Sequence, residues 1–207
     1  MKSLWLNLAL SCAAAFAAEA ASVSLFDGKT FTGWEGDTNK IWRIDNGEIV
    51  GGTLQTSSPQ NEFLATTASY TNFVIRLKFK LTGTKGFVNS GVQFRSQRVP
   101  NNSEMSGYQA DIGEGWYGCV YDESRRNKVM GRPAEEDVKK AVKVGDWNDY
   151  EVRAEGRHIV TKMNGVVLAD YTEEDKLIPQ FGKFGLQLHG GGFTEVRFKS
   201  VKLEILP

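Results

Sequence analysis

Asn89-Ser90-Gly91-Val92-Gln93-Phe94-Arg95 and, a dozen residues on, Gly107-Tyr108-Gln109-Ala110-Asp111-Ile112 alternate in character at every second position. Successive side chains of a strand point to opposite faces, so Val92 and Phe94 fall on one side and Gln93 and Arg95 on the other. The second segment sets Gln109 and Asp111 on its polar side. Gly185-Leu186-Gln187-Leu188-His189 repeats the pattern with Gln187 and His189. Three strands thus each offer a planar amide beside an ionisable group. Amides both donate and accept, which suits a hydroxyl-rich ligand.

Other strands of the same chain carry a different polar side. Phe73 to Leu81 alternates apolar residues with Arg76, Lys78 and Lys80, and Glu195-Val196-Arg197-Phe198-Lys199 does likewise. Long flexible charges are what a solvated sheet face needs. The amide-bearing strands therefore read as a ligand face.

Working outward, Asn46-Gly47 separates Ile41-Trp42-Arg43-Ile44 from Glu48-Ile49-Val50, and Asn164-Gly165 separates Ile159-Val160-Thr161 from Val166-Val167-Leu168. Both are tight-hairpin signatures. Further strands are expected at Phe63 to Thr66, Gly118 to Tyr121, Tyr150 to Ala154 and Thr194 to Leu206. One short surface helix follows Pro133, with Glu135, Glu136 and Asp137 near its start and Lys139 and Lys140 near its end. Many short alternating strands in residues 21–207 predict an all-β fold, a two-sheet antiparallel jelly-roll sandwich, as a single domain.

Residues 1–20 read as a secretory signal, with Lys2, an apolar Leu4 to Leu10 and an alanine-rich tail, too short to span a membrane. The expectation is an exported, periplasmic protein, with lipoprotein anchoring through Cys12 as the weaker alternative. Lys plus Arg and Asp plus Glu number 25 each, which argues against nucleic acid or an anionic membrane as partner. Beyond the signal only Cys119 remains, so no internal disulfide forms, and it reads as a small packed residue.

Asp111, Glu123 and His189 are the ionisable candidates for catalysis, since a carboxylate or imidazole tuned by its surroundings serves as general base or acid. Arg95 is a candidate for stabilising developing negative charge. Asn89, Gln93, Gln109, Gln187 and Arg125 are candidates for holding substrate. Tyr108, Trp116, Tyr117, Tyr121 and Trp147 are candidates for stacking on a sugar ring. His189-Gly190-Gly191-Gly192 is not an esterase oxyanion loop, because the chain has no Gly-x-Ser-x-Gly elbow. Asp27, Asp122 and Asp146 lie near turns that could take calcium or another divalent metal, but no loop has a known ligand spacing.

In order along the chain, Leu25-Phe26-Asp27-Gly28-Lys29 with Gly33-Trp34, Asn89-Ser90-Gly91-Val92, Gly107-Tyr108-Gln109, Trp147-Asn148, Asn164-Gly165 and Gly185-Leu186-Gln187-Leu188-His189-Gly190 resemble the 3-keto-disaccharide hydrolases. The resemblance implies a concanavalin A-like lectin or glucanase sandwich and a glycoside first oxidised at C3 by a separate dehydrogenase. A 3-keto group acidifies the C2 proton, so a base can remove it, C1 can expel the glycosidic oxygen, and water can add back. On that reading Asp111 or His189 is the base, Arg95 stabilises the enolate and Glu123 is the acid. The family pattern Gly-Tyr-Glu-x-Gln is changed here to Gly107-Tyr108-Gln109-Ala110-Asp111, moving the acid about 7 Å along the same face. A non-catalytic sugar-binding module remains the alternative. A classical glucanase would show Glu-x-Asp-x-Glu, which the chain lacks.

Overall fold

The computed structural model describes residues 22–207; the signal segment and Cys12 lie outside the described residues. The elements run β1 (Ser22–Ser24), β2 (Trp34–Glu35), β3 (Trp42–Asp45), β4 (Glu48–Gly52), β5 (Glu62–Thr66), β6 (Phe73–Gly86), β7 (Asn89–Arg98), β8 (Met105–Gly113), β9 (Val120–Glu123), β10 (Lys128–Gly131), α1 (Glu135–Ala141), β11 (Asn148–Glu155), β12 (His158–Met163), β13 (Val166–Thr172), β14 (Lys183–Leu188) and β15 (Gly192–Ile205). One sheet has the order β13-β12-β11-β6-β15-β4-β3, with β1 on β15; the other has β10-β9-β8-β7-β14-β5-β2. All the strand pairs are antiparallel. The fold is the expected two-sheet sandwich.

Local chemistry accounts for the hairpins. Asn46 and Gly47 sit at φ 51° and 79°, and Asn164 and Gly165 at 49° and 84°, the paired left-handed conformation of a two-residue turn. Helix α1 carries three acids in its first turn and two lysines in its last, complementing its dipole. It buries Ala141 against the sandwich.

The facing sides of the two sheets form the core. Phe73 of the first sheet meets Phe94 and Phe184 of the second edge-on, at 6.3 and 4.6 Å between ring centres. The outer side of the first sheet is the solvated face expected, where Arg76 pairs with Glu151 and Glu204 and Lys78 with Asp149. Such exposed pairs contribute little stability and mainly keep the face soluble. That leaves the outer side of the second sheet for the amides.

Candidate active site

On that face cross-strand register assembles the site. Gln187 on β14 lies opposite Gly91 on β7, and Gly91 opposite Asp111 on β8. One rung along, Gln93 faces Gln109, and Gln109 faces Tyr121 on β9. Gly91 has to be glycine, since a Cβ there would stand 2.5 Å from the Gln109 carboxamide carbon. The missing side chain lets Gln109 lean across and reach Asp111.

The buried amides form a directed chain of hydrogen bonds. Ser96 Oγ donates to Gln93 Oε1, Gln93 Nε2 donates to Gln109 Oε1 at 3.3 Å, and Gln109 Nε2 donates to Asp111 Oδ1 at 2.8 Å. Such chains polarise one another and fix each amide's orientation. Asp111 Oδ2 has no partner. A proton on this carboxyl therefore belongs on Oδ2.

Burial dominates the electrostatics. Asp111 is 3% exposed, and desolvation pushes its carboxyl from 3.8 to about 8; Glu123 adds to the rise, while Gln109 and the more distant Arg132 oppose it. Glu123, half-buried at the end of β9, is pushed from 4.5 to about 7 by desolvation and by the charge of Glu104; the Ser124 amide and Gln187 oppose the shift. The Gln187 amide is near enough to favour ionised Glu123, yet neither of its polar atoms reaches a partner at hydrogen-bonding geometry. Gln187 is itself wholly buried and does not line the cleft.

Asn89, Gln109, Asp111, Glu123 and His189 line a cleft of about 210 Å³, walled by Phe87, Trp116 and Tyr121. This is below the roughly 300–1,000 Å³ of sites for drug-sized ligands and suits a single ring. His189 Nδ1 lies 2.7 Å from the Gly190 carbonyl, which can only accept. A hydrogen is therefore on Nδ1, and in the neutral imidazole it is Nε2 that carries the lone pair. Phe87 holds the imidazole edge-on at 4.6 Å. Trp116 and Tyr121 stand perpendicular at 5.8 Å, and the Arg132 guanidinium lies 5.5 Å over the Trp116 ring.

Four expected site residues are elsewhere. A bulge displaces Arg95: its φ is 48° and register slips on both sides of β7, ending the period-two alternation. Its buried guanidinium donates to the carbonyls of Thr71 and Gly156 and to Gln180 and Asn72, tying loops together away from the cleft. Tyr108 occupies the core side, stacked 5.5 Å from Phe94, with its hydroxyl donating to Glu173. Arg125 pairs with Asp122 and lies 4.6 Å over the Tyr108 ring, part of a cluster with Arg126 and Glu173. Trp147 packs on the outside of the first sheet beneath Lys199 and Lys80. Gln93 is wholly buried and supports Gln109 from below.

The aspartates considered for calcium are spoken for. Asp27 accepts from the Lys29 and Thr30 amides, Asp122 is clamped by Arg125 and Arg126, and Asp146 accepts from the Trp147 amide. Among the described residues no group of three or more His, Cys, Asp or Glu could hold a metal. Cys119 is buried, and desolvation pushes its thiol up to about 11, which suits packing rather than attack. Phe87, Glu104 and Arg132 are additions that the sequence did not suggest.

Fold and site together define a concanavalin A-like sandwich with a polar, aromatic-walled, carboxyl-bearing cleft on one sheet, a carbohydrate-handling class of protein. The chain belongs to the family of 3-keto-alpha-glucoside-1,2-lyase-like domains, whose model matches residues 21–204. A proposed glycosyl hydrolase from Parabacteroides distasonis is similar at 25% identity and a TM-score of 0.67, over 90% of this chain and 94% of that one. The carbohydrate-binding module CBM66 from Bacillus subtilis shares the fold at 17% identity and a TM-score of 0.64, over 83% of this chain and 95% of that one. A Bacillus licheniformis beta-glucanase does so at 11% identity and 0.54, over 93% and 100%. No curated protein sequence matches the chain.

Proposed function

We propose that this protein cleaves a 3-keto-glycoside by removing the C2 proton and expelling the glycosidic oxygen from C1. The observation that carries the reading is the convergence on one ring-sized cleft of two desolvated carboxyls and an imidazole of fixed tautomer. His189, with Nε2 free, takes the proton from C2. Asp111 holds a proton on Oδ2 at neutral pH and donates it as a hydrogen bond to the C3 oxygen, where negative charge develops. A carboxyl kept neutral by an apolar site is well suited to that task. The role first given to Arg95 thus passes to Asp111. Glu123, titrating near neutrality, protonates the departing oxygen.

The bonds balance: C2–H and C1–O break, C1=C2 forms, and the leaving oxygen gains the proton. Water adding across C1=C2 would complete a net hydrolysis. Trp116 and Tyr121 offer faces to the apolar side of the ring, and Asn89 offers an amide to its hydroxyls. The substrate class requires a prior oxidation of the C3 hydroxyl, so a sugar 3-dehydrogenase acts upstream.

We further read the protein as exported, from residues 1–20. Among the described residues no helix is long and apolar enough to cross a membrane. N-terminal sequencing of periplasmic protein beginning near residue 21 would support export, and an intact Met1 in the cytoplasm would oppose it. For the activity, purified protein is given a 3-keto-disaccharide and its unoxidised parent. Release of sugar from the keto compound alone supports the lyase reading, while binding of both without release leaves a lectin-like module.

A further inference from the structure

Glu104 ends the loop between β7 and β8 and does not line the cleft, yet it joins three pieces of the cleft wall. Asn61 Nδ2 donates to Glu104 Oε1 at 2.9 Å, and Ser124 Oγ lies 3.5 Å from Glu104 Oε2. The same Asn61 accepts from the Gly190 amide at 3.0 Å through its Oδ1. Gly190 is the residue whose carbonyl fixes the His189 tautomer, and Ser124 directly follows Glu123. One carboxylate therefore connects the turn of the proposed base to the strand end of the proposed acid. These contacts are non-local in sequence, separated by 43, 20 and 129 positions.

We propose that Glu104 is a positioning residue that, through Asn61 and Ser124, holds Glu123 and the His189 turn in register. This deepens the reading of Glu123 as acid and rests on that reading only for its catalytic consequence. The surroundings of Glu123 leave Glu104 as the adjustable charge. On its own strand Asp122 is turned away and clamped by Arg125 and Arg126, so its charge raises Glu123 less than that of Glu104 does, and Tyr121 presents a phenol. From β8 comes Asp111, itself uncharged until about pH 8. From β14 comes the neutral Gln187 amide, with His189 just beyond. After desolvation, the Glu104 charge is the largest influence raising Glu123. The charge of Glu104 makes ionisation of Glu123 harder.

The test is to follow the Glu123 carboxyl carbon by NMR through a pH titration of the purified protein and of Glu104→Gln. The glutamine can still accept from Asn61, so the tie survives while the charge is lost. The Glu123 midpoint is expected to fall by roughly half a unit to one unit. With a 3-keto-glycoside, the alkaline limb of kcat/KM should move down by the same amount, since an acid must be protonated to act. A second variant, Glu104→Ala, removes the tie as well. It should speed hydrogen exchange at the Gly190 amide and shift the His189 ring nitrogens, with urea unfolding checking that the fold persists. A Glu123 midpoint unmoved in both variants, or a Gly190 amide equally protected in Glu104→Ala, overturns the proposal. The NMR readouts need no turnover, so they separate a failure of this inference from a failure of the proposed activity.

Discussion

Asp111→Asn should make the protein more stable, and increasingly so as pH rises. The folded chain holds the Asp111 proton up to about pH 8, whereas the unfolded chain releases it near 3.8. Between those values the folded state binds one more proton than the unfolded state. Stability therefore falls with rising pH, by about 1.4 kcal/mol per unit from this group alone. Full use of that window sets a ceiling of about 6 kcal/mol, the cost of an ionisable group buried without a charged partner. Asparagine keeps the oxygen that accepts from Gln109 and never ionises, so it removes the slope while preserving the contact. Glu123 adds a slope of the same sign between 4.5 and about 7, but both proteins share it. Urea unfolding at stepped pH reads the difference directly. From about pH 5 to about pH 8 the variant should gain about 4 kcal/mol on the parent. Parallel stability curves would show that Asp111 ionises normally in the folded protein, and the reasoning about its protonated role would fail.

Three further outcomes follow from the same geometry. His189→Gln should slow C2–H exchange in a 3-keto-glycoside by roughly 10²–10⁴-fold while the sugar still binds by calorimetry, as expected of a lost general base. Trp116→Ala should raise KM about tenfold, the value of one ring-stacking contact, whereas Trp147→Ala on the far sheet should leave KM unchanged. Arg95→Ala should lower unfolding free energy by about 3 kcal/mol, because it strands the Thr71 and Gly156 carbonyls, yet spare kcat at temperatures below unfolding.

Most of the architecture was legible because period-two alternation and the two Asn-Gly turns are local signals. Strands β1, β2 and β10 escaped because they are short edge or end pieces, β1 and β2 held by partners distant in sequence and β10 only by a bulged pairing with β9. The amide face was legible for the same reason: Gln93, Gln109, Asp111 and Gln187 do fall on one side of one sheet. Tyr108 could have been placed correctly, since it shares parity with the buried Ala110 and Ile112 and so had to face the core. Arg95 could not, because a single residue at positive φ breaks that parity and nothing in the local sequence announces the bulge. Trp147 illustrates a different limit. A tryptophan flanked by polar residues looks equally ready to stack on a sugar or beneath lysines from neighbouring strands, and only tertiary packing decides. Phe87 reaches the cleft from a loop, and Glu104 and Arg132 act on its residues from loops behind it, where position depends on which other segments they meet.

The most direct test of the central claim is C2–H exchange. The protein, a 3-keto-disaccharide and deuterated water are mixed, and the C2 proton is followed by NMR as sugar is released. Elimination requires loss of the C2 hydrogen from every molecule cleaved, with deuterium at C2 of the hydrated product and no change in the unoxidised parent. Release of sugar with the C2 hydrogen fully retained would contradict it.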